Sequence, residues 1–217
     1  MFFEYKDVNL FYEKVGQGSP IILLHGNGES HKIFDQLIPQ LSKDYTVYAI
    51  DSRGHGLSSK SKNLDYLLMA EDIAAFIKGL SIEKPILYGF SDGGILGLLI
   101  ASRYPELLTK LIISGANLHP SGIKISYFRW FRCVYFITRS SKYRLMLTQP
   151  NITEEELGKI QAETLVLAGS KDVIDEKHTR YIAQSIPKST LRILEGDTHS
   201  SYIVHSSKLY EIIKAFL

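Results

Sequence analysis

The sequence holds a single cysteine, Cys133, in 217 residues. No internal disulfide is available, so a reducing compartment is expected. No apolar run approaches the roughly 18 uninterrupted residues of a membrane span, so no stable membrane insertion is expected. The amino terminus, MFFEYKDVN, has neither a basic start nor an apolar stretch of signal-peptide length. These absences together predict a cytoplasmic protein. There is little charge of one sign: 25 Lys and Arg stand against 23 Asp and Glu, net +2. That excludes the strongly basic profile of a dedicated nucleic-acid binder. No two of the seven histidines stand at the H-x-x-x-H spacing of a metal-binding helix. No metal or cofactor is expected. One absence is local: no Asp or Glu lies between Leu107 and Thr153, where seven Lys and Arg fall, leaving net −5 for the remainder.

What the chain does have is a repeated pattern. Short Ile, Leu and Val runs recur at "PIILLHG" (20–26), "YTVYAID" (45–51), "KPILYGF" (84–90), "TKLIISG" (109–115), "ETLVLAG" (163–169) and "TLRILEG" (190–196). Near-continuous apolar runs of this kind are expected of strands covered on both faces. Residues 2–5 and 9–12 read as a preceding hairpin that turns near Asp7. Helical spacing falls between the strands, at 64–80, 94–104 and 207–217. The alternation predicts an α/β fold: a doubly wound, mainly parallel sheet with right-handed crossovers. Residues 117–158 are too long for a crossover and predict a small helical lid inserted in a core formed by 1–116 and 159–217.

In such sheets chemistry sits just beyond the carboxyl ends of the strands. There, "GFSDGG" sets Gly89, Ser91 and Gly93 as G-x-S-x-G between a strand and a helix. A turn this sharp drives the central residue to positive φ and exposes its hydroxyl above the sheet. A hydroxyl needs a base to take its proton. His199, after the last strand in "EGDTHSS", is the candidate, with His205 the alternative. The base needs an acid to fix its tautomer. Asp172 in "LAGSKDVID" is the candidate, with Asp175 the alternative. Developing oxyanion charge needs fixed donors. The backbone N–H groups of Asn27, in "LLHGNGES", and of Asp92 are assigned to it. His25, at a strand end, is expected to make a structural hydrogen bond.

"HGNG", "DSRGHGLS" (51–58), "GFSDGG", "LAGSKD" and "GDTH" come in an order and spacing that resemble the α/β-hydrolase fold over essentially the whole chain. The resemblance implies Ser91 as nucleophile, Asp172 as acid, His199 as base, and Asn27 and Asp92 as oxyanion donors. It implies a structural turn at Asp51, Arg53 and Gly56, with His55 structural or at the pocket edge. A serine at position 91 sets the chain apart from dehalogenases and epoxide hydrolases that use aspartate there. "GFSDGG" with "RYPELLTKLIISGAN" is most similar to the biphenyl-hydrolase-like group, which includes valacyclovir hydrolases. In that group the aspartate after the nucleophile is associated with a substrate ammonium, a role that falls on the Asp92 carboxylate. The competing expectation is that this carboxylate only complements a helix amino terminus.

The lid stretch "SYFRWFRCVYFITRSSKYRLML" interleaves aromatics with basic residues. Spacing puts Phe128, Phe131 and Tyr135 on one helix face, and Phe128 and Phe131 are predicted to contact substrate. A basic amphipathic helix of this kind also suits an anionic membrane surface, although a solvated lid is the simpler expectation. The predicted function is a serine hydrolase cleaving a small carboxylic ester, including an amino-acid ester read by Asp92. A thioesterase, amidase, lactonase or C–C-bond hydrolase would use the same residues. A ligand-binding receptor on the same scaffold is the alternative of another class. The expected partner is a small molecule, and the sequence sets no oligomeric state.

Overall fold

The computed structural model describes residues 1–217. Eight strands form one sheet: β1 (Phe2–Tyr5), β2 (Val8–Val15), β3 (Ser19–Leu24), β4 (Tyr45–Ile50), β5 (Ile86–Phe90), β6 (Lys110–Ser114), β7 (Glu163–Lys171) and β8 (Ser189–Thr198). Their order is β1-β2-β4-β3-β5-β6-β7-β8. Strand β2 pairs antiparallel with both β1 and β4, and β4, β3, β5, β6, β7 and β8 are all parallel. The expected doubly wound α/β sheet is thus the observed one.

The helices are α1 (Ile38–Leu41), α2 (Tyr66–Gly79), α3 (Asp92–Arg103), α4 (Ile125–Thr138), α5 (Ser141–Thr148), α6 (Glu154–Gly158), α7 (Glu176–Ser185) and α8 (Lys208–Ile213). The period-2 alternation of the strands divides the core in two. On β3, Ile22 and Leu24 join the layer under α2 and α3, while Ile21 and Leu23 join the layer under α1 and α8. On β6, Leu111 and Ile113 face the first layer and Ile112 the second. Burial on both faces is why these runs carry almost no polar residue.

Several element ends differ from the spacing-based expectation by a few residues, the closing helix most of all, at Lys208–Ile213 against 207–217. Helix α3 begins at Asp92, two residues earlier than expected, because the strand passes into the helix through one residue, Ser91. Strand β8 runs on to Thr198, since its ladder with β7 continues past a bulge between Gly169 and Lys171. Helix α7 is one the apolar spacing does not announce, since it buries only Thr179, Ile182 and Ala183; it starts at the Asp175 cap, whose carboxylate accepts from the Lys177 N–H.

The chain between β6 and β7 packs unevenly. Leu145, Ile152 and Leu157 sink into the same core as α3, whereas α4 has no buried residue at all. No helix is long and apolar enough to cross a membrane.

Candidate active site

Ser91 stands alone between β5 and α3 with φ 52° and ψ −113°, a conformation that is strained for any residue with a Cβ. Glycine makes the turn possible: a Cβ on Gly89 would lie 2.1 Å from the Gly93 carbonyl oxygen. The Ser91 N–H donates to the Ser114 carbonyl at 2.7 Å, and the Gly93 N–H to the His25 carbonyl at 3.1 Å. The turn is therefore pinned to β6 on one side and to the end of β3 on the other.

The structure brings Ser91, His199 and Asp172 together from positions 108 and 27 residues apart. Ser91 Oγ lies 3.1 Å from His199 Nε2, and His199 Nδ1 lies 2.7 Å from Asp172 Oδ1. The same Asp172 oxygen accepts the Ile174 N–H at 2.9 Å. Burial alone would raise the Asp172 carboxyl, but the hydrogen bond and charge of His199 outweigh it and hold the carboxyl below its ordinary range. An ionised acid on Nδ1 selects the tautomer that leaves Nε2 free to accept the serine proton. Close approach at Gly115, after β6, makes room for the imidazole: a Cβ there would sit 2.6 Å from His199 Cε1.

The alternatives are engaged elsewhere. His205 pairs with Asp35 at the surface, Nδ1 to Oδ2 2.9 Å, and Asp175 caps α7. His25 is buried, lies against the Gly26 carbonyl through Nδ1 and receives the Ser52 N–H on Nε2. Burial lowers its pKa to about 4, so it stays neutral. His55 is likewise buried, with its pKa lowered to about 3. In the "DSRGHGLS" turn, Asp51 accepts the His31 and Leu57 N–H groups. Arg53 there forks onto Asp72 and Asp7.

The backbone N–H groups of Asn27 and Asp92 have no acceptor within the protein. Both residues line a cavity of about 330 Å³ that Ser91 and His199 also line. Two undonated N–H groups beside a serine hydroxyl supply what a tetrahedral oxyanion requires.

The Asp92 carboxylate, for which ammonium recognition and helix-end complementation were the two expectations, is hydrogen-bonded within the protein at both oxygens. It is 4% exposed. Its Oδ1 accepts the Tyr66 hydroxyl at 2.6 Å and its Oδ2 accepts the Asn27 side-chain amide at 2.8 Å. The Asn27 amide also reaches the Lys142 carbonyl at 3.3 Å. One carboxylate thus ties together the two residues whose N–H groups face the cavity. Burial pushes its pKa up to about 6, with the Tyr66 and Asn27 hydrogen bonds opposing that rise.

The rest of the lining mixes apolar and charged groups. Phe131, Tyr143 and Met146 come from α4 and α5, and Ile123 and Ile174 close the side near Asp172. Phe128 is half-buried and is not part of the lining. Glu29 and Lys142 were missed by the sequence reading. Glu29 accepts the Gly26 N–H at 2.9 Å, and burial raises its carboxyl. Lys142 lines the cavity from α5, and burial lowers its ammonium. Glu29 directly follows "HGNG", which was a usable signal; nothing in spacing singled out Lys142. No group of three or more His, Cys, Asp or Glu is placed to hold a metal ion.

A serine, an aspartate and a histidine delivered directly after β5, β7 and β8, at the carboxyl edge of a parallel sheet, define a class of hydrolase. The family of the α/β hydrolase fold matches residues 19–139, and the chain belongs to that family and is an enzyme of it. Serine hydrolase BPHL of Mus musculus is 26% identical over 245 residues, covering 97% of this chain and 83% of that protein. The AB hydrolase superfamily protein YisY of Bacillus subtilis (strain 168) is 27% identical over 257 residues, covering 96% and 95%. Among solved structures, an esterase (EaEST) from Exiguobacterium antarcticum matches with TM-score 0.86 at 22% identity, covering 99% of this chain and 98% of that one. At that identity the likeness is one of fold.

Proposed function

We propose that this chain is a serine hydrolase that cleaves a small carboxylic ester through an acyl-enzyme on Ser91. The observation that carries the reading is the hydrogen-bonded line from Ser91 Oγ through His199 to Asp172, opening on a cavity with two undonated N–H groups. His199 Nε2 takes the Ser91 proton as Oγ bonds to the acyl carbon. The carbonyl oxygen becomes an oxyanion received by the Asn27 and Asp92 N–H groups. Asp172 stabilises the imidazolium, which returns its proton to the departing alkoxide as the C–O bond breaks. A water then repeats the attack with His199 as base, releasing the acid and restoring Ser91.

A cavity of about 330 Å³ lies at the small end of ligand pockets, which suits a short acyl group or a single ring. Segments α4 and α5 act as the lid over it, with Phe131, Tyr143 and Met146 against the acyl part. We assign the Asp92 carboxylate to holding the oxyanion donors in register through Asn27. An ammonium group on the substrate would have to share a carboxylate already bonded at both oxygens, with the Lys142 amine in the same cavity.

The test is a panel of p-nitrophenyl esters of rising chain length, with Ser91→Ala and with fluorophosphonate labelling. The expected result is turnover of short esters, a loss of about 10³-fold or more in Ser91→Ala, and labelling of the wild type alone. Full activity in Ser91→Ala, or folded wild type that resists the label, would overturn the assignment. The second outcome is the one expected of a binding protein on this scaffold.

A further inference from the structure

We infer that the outer face of α4 is a docking surface for an anionic lipid bilayer. It is independent of the proposed chemistry, because none of the side chains it rests on lines the cavity.

Helical spacing divides α4 into unlike faces. Phe128, Phe131 and Tyr135 form the half-buried inner stripe. Ile125, Arg129, Arg132 and Phe136, at i, i+4, i+7 and i+11, form one outer stripe, with Trp130 and Ile137 beside it. The four outer apolar side chains are 64% (Ile125), 55% (Trp130), 71% (Phe136) and 80% (Ile137) exposed. One edge of Trp130 packs on the rings of Phe131 and Tyr143, and more than half of each of the four side chains stays open to solvent. Large exposed apolar patches mark interaction sites, and charge decides which partner fits.

Arg129 and Arg132 sit within the patch, and Arg139 stacks over the Phe136 ring at 4.9 Å. None of the three arginines makes a salt bridge, and no acidic residue lies between Leu107 and Thr153. A two-fold dimer through α4 would set these arginines against their own copies with no carboxylate to pair them. A bilayer of acidic lipids satisfies both components at once: phosphates meet the guanidinium groups while Trp130, Phe136 and Ile137 enter the headgroup boundary. The remainder of the chain carries net −5, so an anionic surface attracts this end and repels the rest. Because Phe131 of the same helix lines the cavity, docking would place the bilayer over its cover.

Trp130 is the only tryptophan, so its emission reports on this face without a label. The experiment titrates the full-length protein with phosphatidylcholine vesicles, with and without 30 mol% phosphatidylglycerol, and follows emission and co-sedimentation. The expected result is a blue shift and sedimentation with the acidic vesicles only, weakened by salt. Arg129→Gln/Arg132→Gln should weaken partitioning about 25-fold, at about fivefold per arginine. Phe136→Ser/Ile137→Ser should abolish the shift while ester turnover and thermal unfolding stay at wild-type values. Failure to bind acidic vesicles, or binding that both double variants leave intact, overturns the inference. So does a dimer, seen by sedimentation velocity, that Phe136→Ser/Ile137→Ser dissociates.

Discussion

Replacing Asp92 with asparagine tests the oxyanion tie through its pH dependence. Burial pushes the folded-state pKa of Asp92 up to about 6, against an ordinary value of 3.8. A carboxyl whose pKa is raised on folding holds its proton more tightly in the folded state. Between about pH 4 and pH 6 the folded chain therefore binds more protons than the unfolded one, and stability falls as pH rises. The loss is complete above pH 6 and corresponds to about two pKa units, roughly 3 kcal/mol. Asparagine has the same shape and no proton to lose, so Asp92→Asn is free of this penalty.

Asparagine also brings a fixed deficit. It sets an NH2 donor where one of the two carboxylate oxygens stood, so either the Tyr66 hydroxyl or the Asn27 amide meets a donor in place of its acceptor. That deficit is the same at every pH, whereas the ionisation penalty is not. Urea unfolding of both proteins at pH 4, 5, 6 and 8 separates them: relative to wild type, the variant should gain about 3 kcal/mol between pH 4 and pH 8. Parallel stability curves would refute the burial argument. Activity should move the other way, because the released Asn27 no longer fixes its N–H. A fall in kcat/KM of about 10- to 100-fold is expected, part of the 10²–10³-fold attached to a whole oxyanion donor. The fall should be equal for amino-acid esters and their des-amino analogues. A loss confined to the amino-acid esters would return the carboxylate to ammonium recognition.

Two further substitutions probe the frame. Gly115→Ala puts a methyl 2.6 Å from His199 Cε1, so kcat should fall at least 10²-fold with the far-UV circular dichroism unchanged; wild-type kcat would show that the imidazole has room to spare. Arg53→Met leaves the Asp72 carboxylate, 1% exposed, without its partner. About 3–5 kcal/mol of stability should be lost in urea unfolding at pH 8, and less at pH 4, where Asp72, already raised by burial, takes up a proton.

Much of the site was legible because its members are constrained by local backbone. Ser91 needs a strand, a helix and flanking glycines. Asp172 and His199 each follow a strand of a sheet whose apolar runs announce it. Each constraint acts over a few residues, so sequence carries it. The tie around Asp92 obeys no such rule. Tyr66 begins α2 and reads as one more core aromatic. Its hydroxyl meets Asp92 only because α2 and α3 pack side by side, a relation between residues 26 apart. The segment of α4 and α5 shows the same limit in another form. Spacing placed Phe128 and Phe131 on one face of a helix, and they do share that face. Yet only Phe131 reaches the cavity, because periodicity fixes the azimuth of a side chain and not its distance from the active serine. That distance is set by where α5 anchors the insertion, through Leu145 buried in the α3 core. The exposed Phe136 and Ile137 follow from the same geometry: with Phe131 directed inward and no second layer above α4, only Trp130 on the outer side finds a partial cover, against the Phe131 and Tyr143 rings.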